Sequence, residues 1–500
     1  MSVDYDVVVV GGGPVGVTAL ALLGRAGIRA VGVEREAIAW PAPRAVHFDG
    51  ETLRLLQSIG IIEEVLKITR PMLDTRLENE EGKVLTANVV QLVGAQGWTD
   101  DVMFHQPDME AALRAAVDQM PSVALRSGAE LTALEQEGEL VRLTVESAQG
   151  TEQITARYVI AADGATSTVR KLLGITNEQL GTDDPWLVVD GQLAEGHGLE
   201  GDMVLLGHWT RPALWVRLLG QRVRMEFKIM PGDDVTEIVT PAAVERISRG
   251  ALPADGFKAD RMAIYTFRGR VAHKWRSGNV FLAGDAAHQA PPLFGQGLCA
   301  GMRDVANLVW KLDLVLRGKA GAELLDTYES ERRPHAKALV EAAVGLAGLL
   351  QTTDEQTAAQ RDAYMLANPQ SGAEARPALG PGQHAGADLS GGSLSVQPIL
   401  EDGTRLDDMV GRHFLVAASG DLLDSLDPDE QKALQDDEVV VLTDLAKIGD
   451  LLAATEASAV VVRPDRYLVG VAHSTAELRR LLAHLPSSSV PAGSAQPTGL

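Results

Sequence analysis

Val7-Val8-Val9-Val10-Gly11-Gly12-Gly13-Pro14-Val15-Gly16 is the stretch on which the reading of this chain turns. Four β-branched residues in a row read as a buried strand, the glycines as a tight turn, and residues 17–26 as a helix before a second apolar run at 30–34. Strand, turn, helix and strand form a βαβ unit. Gly11, Gly13 and Gly16 fall at Gly-x-Gly-x-x-Gly spacing directly between strand and helix, the context that this otherwise weak pattern needs. Such glycines let a pyrophosphate approach the backbone, and the helix N-terminus adds amide donors and a positive dipole end. Glu34 lies eighteen residues past Gly16, at the end of the second strand, where a carboxylate accepts from both hydroxyls of a ribose. An adenosine ribose without a phosphate is therefore expected.

The 500 residues carry a formal charge of −23, and a surface that acidic repels phosphate backbones, so nucleic acid is not an expected partner. Cys299 is the only cysteine, which excludes an internal disulfide and a Cys-x-x-Cys redox or zinc site and fits a reducing cytoplasm. No metal-ligand spacing occurs. The first six residues have acids and no basic region, and the run at 7–10 is too short for a signal peptide or membrane span, so no membrane association is expected.

Further along, residues 129–162 have β-type patterning. Val223, Met225, Phe227 and Ile229 alternate with Arg222, Arg224, Glu226 and Lys228 in strict period two, which predicts an antiparallel strand with one polar, solvated face. The α/β pattern returns at 279–283 and leads into a helix with Met302, Val305, Val309, Leu312 and Leu316 on one stripe. One α/β domain is thus interrupted by a β domain and then resumes. A Pro/Gly/Ala/Ser-rich linker spans 368–392, strands alternate with helices beyond it, and the tail 487–500 reads as disordered.

Two more glycine-acid turns follow strands: Val-Ile-Ala-Ala-Asp-Gly-Ala-Thr-Ser-Thr-Val-Arg at 159–170, and Asn-Val-Phe-Leu-Ala-Gly-Asp-Ala-Ala-His-Gln-Ala-Pro-Pro-Leu-Phe-Gly-Gln-Gly-Leu-Cys-Ala-Gly at 279–301. With the first turn, in this order and spacing, they resemble the class A FAD-dependent aromatic monooxygenases. The likeness is nearest to the 3-(3-hydroxyphenyl)propionate hydroxylase branch, on residues 265–270, 275–316, 327–334 and 462–470. It covers the whole chain.

The resemblance implies an α/β fold: a Rossmann-like FAD-binding domain (1–70, 101–180 and 277–350), an inserted antiparallel β-sheet substrate domain (71–100 and 181–276), a helix/linker at 351–390 and a thioredoxin-like domain at 391–486. It implies FAD contacts at Gly11, Gly13, Pro14, Gly16, Glu34, Arg35, Arg44, Gln106, Gly284 and Asp285. Asp163 and Gly164 match the motif tied to the pyrophosphate and to nicotinamide use, and Arg170 reads as an ordinary helix charge. Pro292, Gly295 and Gly297 match the loop at the flavin edge, with the Leu298 and Cys299 amides opening a helix whose dipole favours the anionic reduced flavin. Cys299, His47 and His288 read as packed or structural side chains, and Glu329, Arg332 and Arg333 as a helix charge cluster.

The expected chemistry is hydroxylation of a small phenolic substrate with O2, NADH or NADPH reducing FAD transiently and oxygen being captured at the flavin C4a. Alternatives are a polyketide or antibiotic tailoring or inactivating oxygenase on the same scaffold, and a non-catalytic FAD-binding sensor. With no second cysteine the thioredoxin-like domain has no thiol-disulfide role, which leaves scaffolding or assembly into a homo-oligomer. Arg217 shares a strand face with Trp215 and is either the arginine that meets a substrate carboxylate or a surface arginine stacked on Trp215, whereas Arg224 is expected in a solvated pair with Glu226.

Overall fold

The computed structural model describes residues 3–40, 44–196, 199–248, 256–292, 295–368 and 376–486. Part of the linker stretch and the whole of the expected disordered tail lie outside the described residues.

The run of valines forms the strand Tyr5–Val10 at the centre of a parallel array. Val123–Ser127, Ala30–Glu34, Tyr5–Val10, Gly150–Ala161 and Val280–Leu282 lie side by side in that order. A parallel sheet is covered on both faces, so its central strands are apolar, and Val7 to Val10 are all buried. The helix Pro14–Arg25 packs against Gln106–Asp118 and Gln296–Leu316. Gly11, at φ +104°, is obligatory: a Cβ there would stand 2.3 Å from the Ala162 carbonyl oxygen, which locks the first and second glycine turns together.

A seven-stranded sheet follows the order Phe257–Phe267, Asp184–Leu193, Arg222–Lys228, Ala213–Arg217, Met203–Leu206, Asp74–Glu78 and Val84–Val89. Its neighbours are antiparallel except Met203–Leu206 with Asp74–Glu78. One face carries Leu187, Val189, Trp215, Val223, Met225 and Phe227 against Val244 of the helix Pro241–Ile247. From the other, Leu214, Val216 and Leu218 pack on Val46, Met72 and Met103. The period-two reading of 222–229 finds its strand, but its polar face is not solvated. Arg224 is 3% exposed and Glu226 6% exposed. The sheet is covered on both sides, by the helix Pro241–Ile247 on one and residues 46, 72 and 103 on the other, and Arg224 reaches the Arg44 carbonyl instead of water.

That segment leads into His47–Asp49, which pairs with Asp101–Phe104 and through it with Thr69–Pro71. The long helices Gln296–Leu316 and Asp326–Leu350 complete this part, and Glu355–Ala367 supplies a helix within the expected helix/linker stretch. At the C-terminal end the sheet order is Val439–Leu442, Phe414–Ala418, Ala459–Val462 and Leu468–Ala472, the first pair parallel and the others antiparallel.

This last sheet is docked on the two long helices by both apolar and charged contacts. Trp310 meets Phe414 edge-on at 5.5 Å. Glu331, fully buried, accepts from Arg463 at 2.9 Å and from Lys311 at 2.7 Å, while Arg463 also holds Asp465. Burial lowers the Lys311 ammonium to about 8. Among the described residues, no helix is long and apolar enough to cross a membrane.

Candidate active site

At the first turn, a Cβ on Gly16 would stand 1.9 Å from the Gly11 oxygen, so that glycine seats the helix on the turn. Gly13 is different: nothing lies within 4 Å of where its Cβ would be. The surface above it is open to a ligand's approach, at the start of a helix whose first residue, Pro14, needs no amide partner. Glu34 sits below, accepting from the Gly12 amide at 2.5 Å and the Glu36 amide at 2.8 Å. A carboxylate has about four acceptor positions, so capacity for ribose hydroxyls remains. Arg114 donates to the Gly12 carbonyl. Arg35 is exposed and lies 3.3 Å from Glu36.

At the third turn Asp285 is solvent-exposed and accepts no hydrogen bond from the described residues. The surrounding protein mass raises its carboxyl pKa, opposed by the charges of His288, Arg44 and Arg170. The turn itself is fastened from behind by Asp304, whose Oδ2 accepts from the Gly284 amide at 2.9 Å and pairs with His288 at 2.9 Å. Asp304 is completely buried, and Arg332 holds its other oxygen at 3.0 Å. Burial pushes the Asp304 carboxyl up, but His288 and Arg332 outweigh it, so it stays ionised below its usual range.

Asp163 takes the Ser167 hydroxyl at 2.5 Å and the Val169 amide at 3.0 Å, shaping the second turn around Gly164, which is at φ +79° with open space beyond it. Arg170 is not an ordinary helix charge. It is 7% exposed and clamps the second turn to the third through the Ala165 and Ala286 carbonyls, both at 2.8 Å. Nor do Arg332 and Glu329 pair with a charge of their own helix, where Arg332 meets only the His335 ring, at 2.7 Å. Arg332 serves Asp304, and Glu329 accepts from the Trp275 and Arg276 amides at 2.8 and 2.9 Å. The partners of Arg332 sit on the helix Gln296–Leu316 and those of Glu329 at residues 275 and 276, which spacing along their own helix cannot reveal.

Pro292 accepts from the Gly295 amide at 2.7 Å, and Gly295, left-handed at φ +63°, caps Gln296–Leu316. A Cβ on Gly295 would fall 2.5 Å from His47 Nδ1, so the turn is pressed against His47. Among the described residues no side chain caps the first turn of this helix, and none lies within 4 Å of a Cβ on Gly297. Open amides beside Leu298 therefore face a surface that a flat ligand edge can reach. Cys299 is buried, its thiol pushed up to about 12, and is inert packing. His288 stacks on Trp275 at 5.3 Å, and His47 holds Asp101 at 2.6 Å, both structural.

Arg44 is exposed, with its guanidinium over Trp40. Gln106 accepts from the Arg44 and Ala45 amides at 2.9 and 2.8 Å and donates to Glu110, so it holds the segment that carries Arg44. Arg224, from the seven-stranded sheet, donates to the Arg44 carbonyl at 2.6 Å and pairs with Asp190 at 2.7 and 3.1 Å. Asp190 also takes Arg261 at 3.3 Å, and Arg261 donates to the Tyr265 hydroxyl. Thus the 44–47 segment touches both the flavin-edge turn and the sheet's polar face. Arg217 does not reach this place. It lies beside Trp215 on the opposite face of the sheet and donates to the Leu199 carbonyl at 3.4 Å.

Sequence reading missed Asp304, Asp190 and the burial of Glu226. A signal for the first was present: Asp304, Asn307 and Lys311 recur at helical spacing inside an apolar helix, the mark of a buried polar stripe. For Asp190, opposite Arg224 in register, nothing in the sequence gives the pairing.

The glycine openings at Gly13 and Gly297, the ribose-placed Glu34 and the unengaged Asp285 fit a long dinucleotide such as FAD. Comparison with known proteins agrees. The family described as FAD binding domain matches residues 4–343. A probable NADH-specific resorcinol 4-hydroxylase of Rhodococcus jostii is 32% identical over 98% of this chain and 96% of its own length. A 3-(3-hydroxy-phenyl)propionate/3-hydroxycinnamic acid hydroxylase of Burkholderia vietnamiensis is 34% identical over 95% and 96%. Among solved structures, the flavin-dependent monooxygenase PieE, in complex with FAD and substrate, superposes with a TM-score of 0.80 over 97% of this chain and 99% of that one at 23% identity. The p-nitrophenol 4-monooxygenase PnpA of Pseudomonas putida gives 0.67 over 74% and 95% at 25% identity. This chain belongs to the FAD-binding-domain family of flavoprotein aromatic hydroxylases.

Proposed function

We propose that this enzyme hydroxylates a neutral phenol, such as a dihydroxybenzene, with NADH as reductant. The observation that carries the substrate class is the sheet face turned toward the 44–47 segment. Its cations are engaged, Arg224 with Asp190 and the Arg44 carbonyl and Arg261 with Asp190 and Tyr265, and a further carboxyl, Glu226, stands among them. A substrate carboxylate there would meet like charge, while a hydroxyl meets acceptors. The relative named as a resorcinol hydroxylase supports both the ring class and NADH.

In this reading Glu34 and Asp285 hold the sugar portions of FAD, the Gly11–Gly16 turn its pyrophosphate, and Gly297 and Leu298 its ring edge. Bound FAD supplies the reducing power that activates O2 for transfer of one oxygen atom to the ring. The protein's part is to hold the phenol on the sheet face, to exclude water with Leu214, Val216 and Met103, and to stabilise charge with the uncapped helix N-terminus.

We read the two sheets as the FAD and substrate domains, and the C-terminal unit as thioredoxin-like. Numbering that unit's strands in sequence, their order 2-1-3-4 with only 1 and 2 parallel supports this. It has no cysteine, so its work is structural, and the single buried Cys299 suits a reducing cytoplasm. The test is NADH consumption by the FAD-loaded enzyme with resorcinol and, separately, 3-(3-hydroxyphenyl)propionate. Stimulation with hydroxylated product from resorcinol supports the proposal, and preference for the propionate overturns it.

A further inference from the structure

Glu226 is the one carboxylate of the sheet's covered face without a hydrogen-bond partner among the described residues. It lies on Arg222–Lys228, in register between Val188 and Leu214, with its side chain on the face opposite to Met225 and Phe227. Its neighbours do not neutralise it. Arg224, two residues away on the same face, makes its ion pair with Asp190. Lys228, two residues the other way, is held by Asp184 at 2.5 and 2.6 Å. On Phe257–Phe267, one strand beyond Asp184–Leu193, Arg261 donates to Asp190 and to the Tyr265 hydroxyl, and in the covering layer His47 pairs with Asp101. A carboxyl that is 6% exposed and unbonded is costly to keep, and such groups mark places where a ligand completes the hydrogen bonding.

We infer that Glu226 is a catalytic residue that accepts the proton of the substrate's phenolic hydroxyl. The inference rests on the phenol reading above. The O–H bond of the phenol breaks, the proton bonds to a Glu226 carboxylate oxygen, and the electron pair stays on the ring oxygen. There it raises electron density at the ortho and para carbons that receive oxygen. Arg224 is near enough for its charge to act on Glu226. Burial raises the Glu226 carboxyl to about 7, against the pull of Arg224 and with the push of Asp190. A base in that range is half ionised near neutral pH, where general-base transfer is most effective.

The test compares FAD-loaded wild type, Glu226→Gln and Glu226→Asp with resorcinol and, as a binding control, 1,3-dimethoxybenzene, whose oxygens have no proton to give. In wild type, kcat falls on the acid side with an apparent pKa near 7, and bound resorcinol gains a phenolate absorbance band above that pH. In Glu226→Gln, kcat drops about 100-fold, the acid limb and the band disappear, and KM moves by less than about 3-fold. Glu226→Asp recovers part of the rate. Dimethoxybenzene binds all three forms alike, and unchanged FAD occupancy shows that each is folded. A Glu226→Gln enzyme that retains the acid limb and a kcat within about 3-fold of wild type overturns the role of Glu226 alone. A wild-type enzyme that binds FAD yet shows no phenol-stimulated NADH consumption overturns the phenol reading, and Glu226 with it.

Discussion

The Tyr467 hydroxyl donates to Glu51 Oε1 at 2.8 Å, joining two residues 416 positions apart. The other oxygen of Glu51 accepts from Arg303 Nε at 2.7 Å, and Arg303 donates at 3.0 Å to Gln296, the first residue of the helix behind the flavin-edge turn, and to Asp49. Burial alone would raise the Asp49 carboxyl, but Arg303 and Arg376 hold it at about 2. Three links therefore run from the C-terminal unit to the helix behind the 292–295 turn, which we propose meets the flavin edge.

This relay makes Tyr467→Phe a sensitive probe of how the two parts are joined. The change removes one hydrogen bond to a charged, mostly buried acceptor, a loss of about 1.5–3 kcal/mol. Unfolding followed by circular dichroism and by flavin fluorescence should move to lower temperature together in the variant. Release of FAD at the wild-type temperature would mean that the relay does not support the flavin-edge turn.

FAD retention separates the roles of the glycines. Gly13→Ala adds a Cβ into open space, so the protein should fold with near wild-type stability and lose FAD affinity. Gly11→Ala collides with the Ala162 carbonyl at positive φ and should impair folding itself. Glu34→Ala and Asp285→Ala should each weaken FAD by one to two decades, the equivalent of about 1.5–3 kcal/mol. Titration of apoprotein with FAD, read by flavin fluorescence, measures all four.

The parallel sheet was legible because its rules are local: a run of valines, glycines at fixed spacing and an acid at the next strand end all lie within residues 7–34. The start of the helix Gln296–Leu316 behind a glycine turn was legible for the same reason, though the turn's support was not. Asp304 went unnoticed and Arg332 and Arg170 read as helix charges because their partners, the Gly284 amide and the Ala286 and Ala300 carbonyls, come from other segments. Strand alternation likewise separates the two faces of Arg222–Lys228 but says nothing of what covers each. Polarity was therefore taken for exposure, and Arg224 and Glu226 were put in solvent although both are buried.

The same lesson changes the expectation for Arg217. A charge on the face beside Trp215 cannot touch a substrate held on the opposite face, so Arg217→Ala should change KM for resorcinol and for 3-(3-hydroxyphenyl)propionate by less than about 3-fold. By contrast Arg224→Ala leaves buried Asp190 without its main partner and should cost about 3–5 kcal/mol of stability. Steady-state kinetics on the first variant and chemical denaturation of the second test this. A decade or more in KM for the propionate alone in Arg217→Ala would restore that arginine to the substrate site.

Glu226 also carries a stability signature that is independent of turnover. Its carboxyl titrates at about 7 in the folded protein against an ordinary value of 4.5, because burial disfavours the charged form. The folded state therefore holds its proton more tightly than the unfolded chain. That advantage is complete below about pH 4.5 and is lost as pH rises through about 7, a swing of about 3 kcal/mol. Glutamine cannot ionise, so Glu226→Gln removes the swing. Measured by urea denaturation, the variant should gain on wild type by about 2–3 kcal/mol between about pH 5 and about pH 8, with the change concentrated between 5 and 7. A constant difference between the two proteins across that range would mean that the carboxyl ionises without penalty, and a base poised near neutrality would no longer be available on this face.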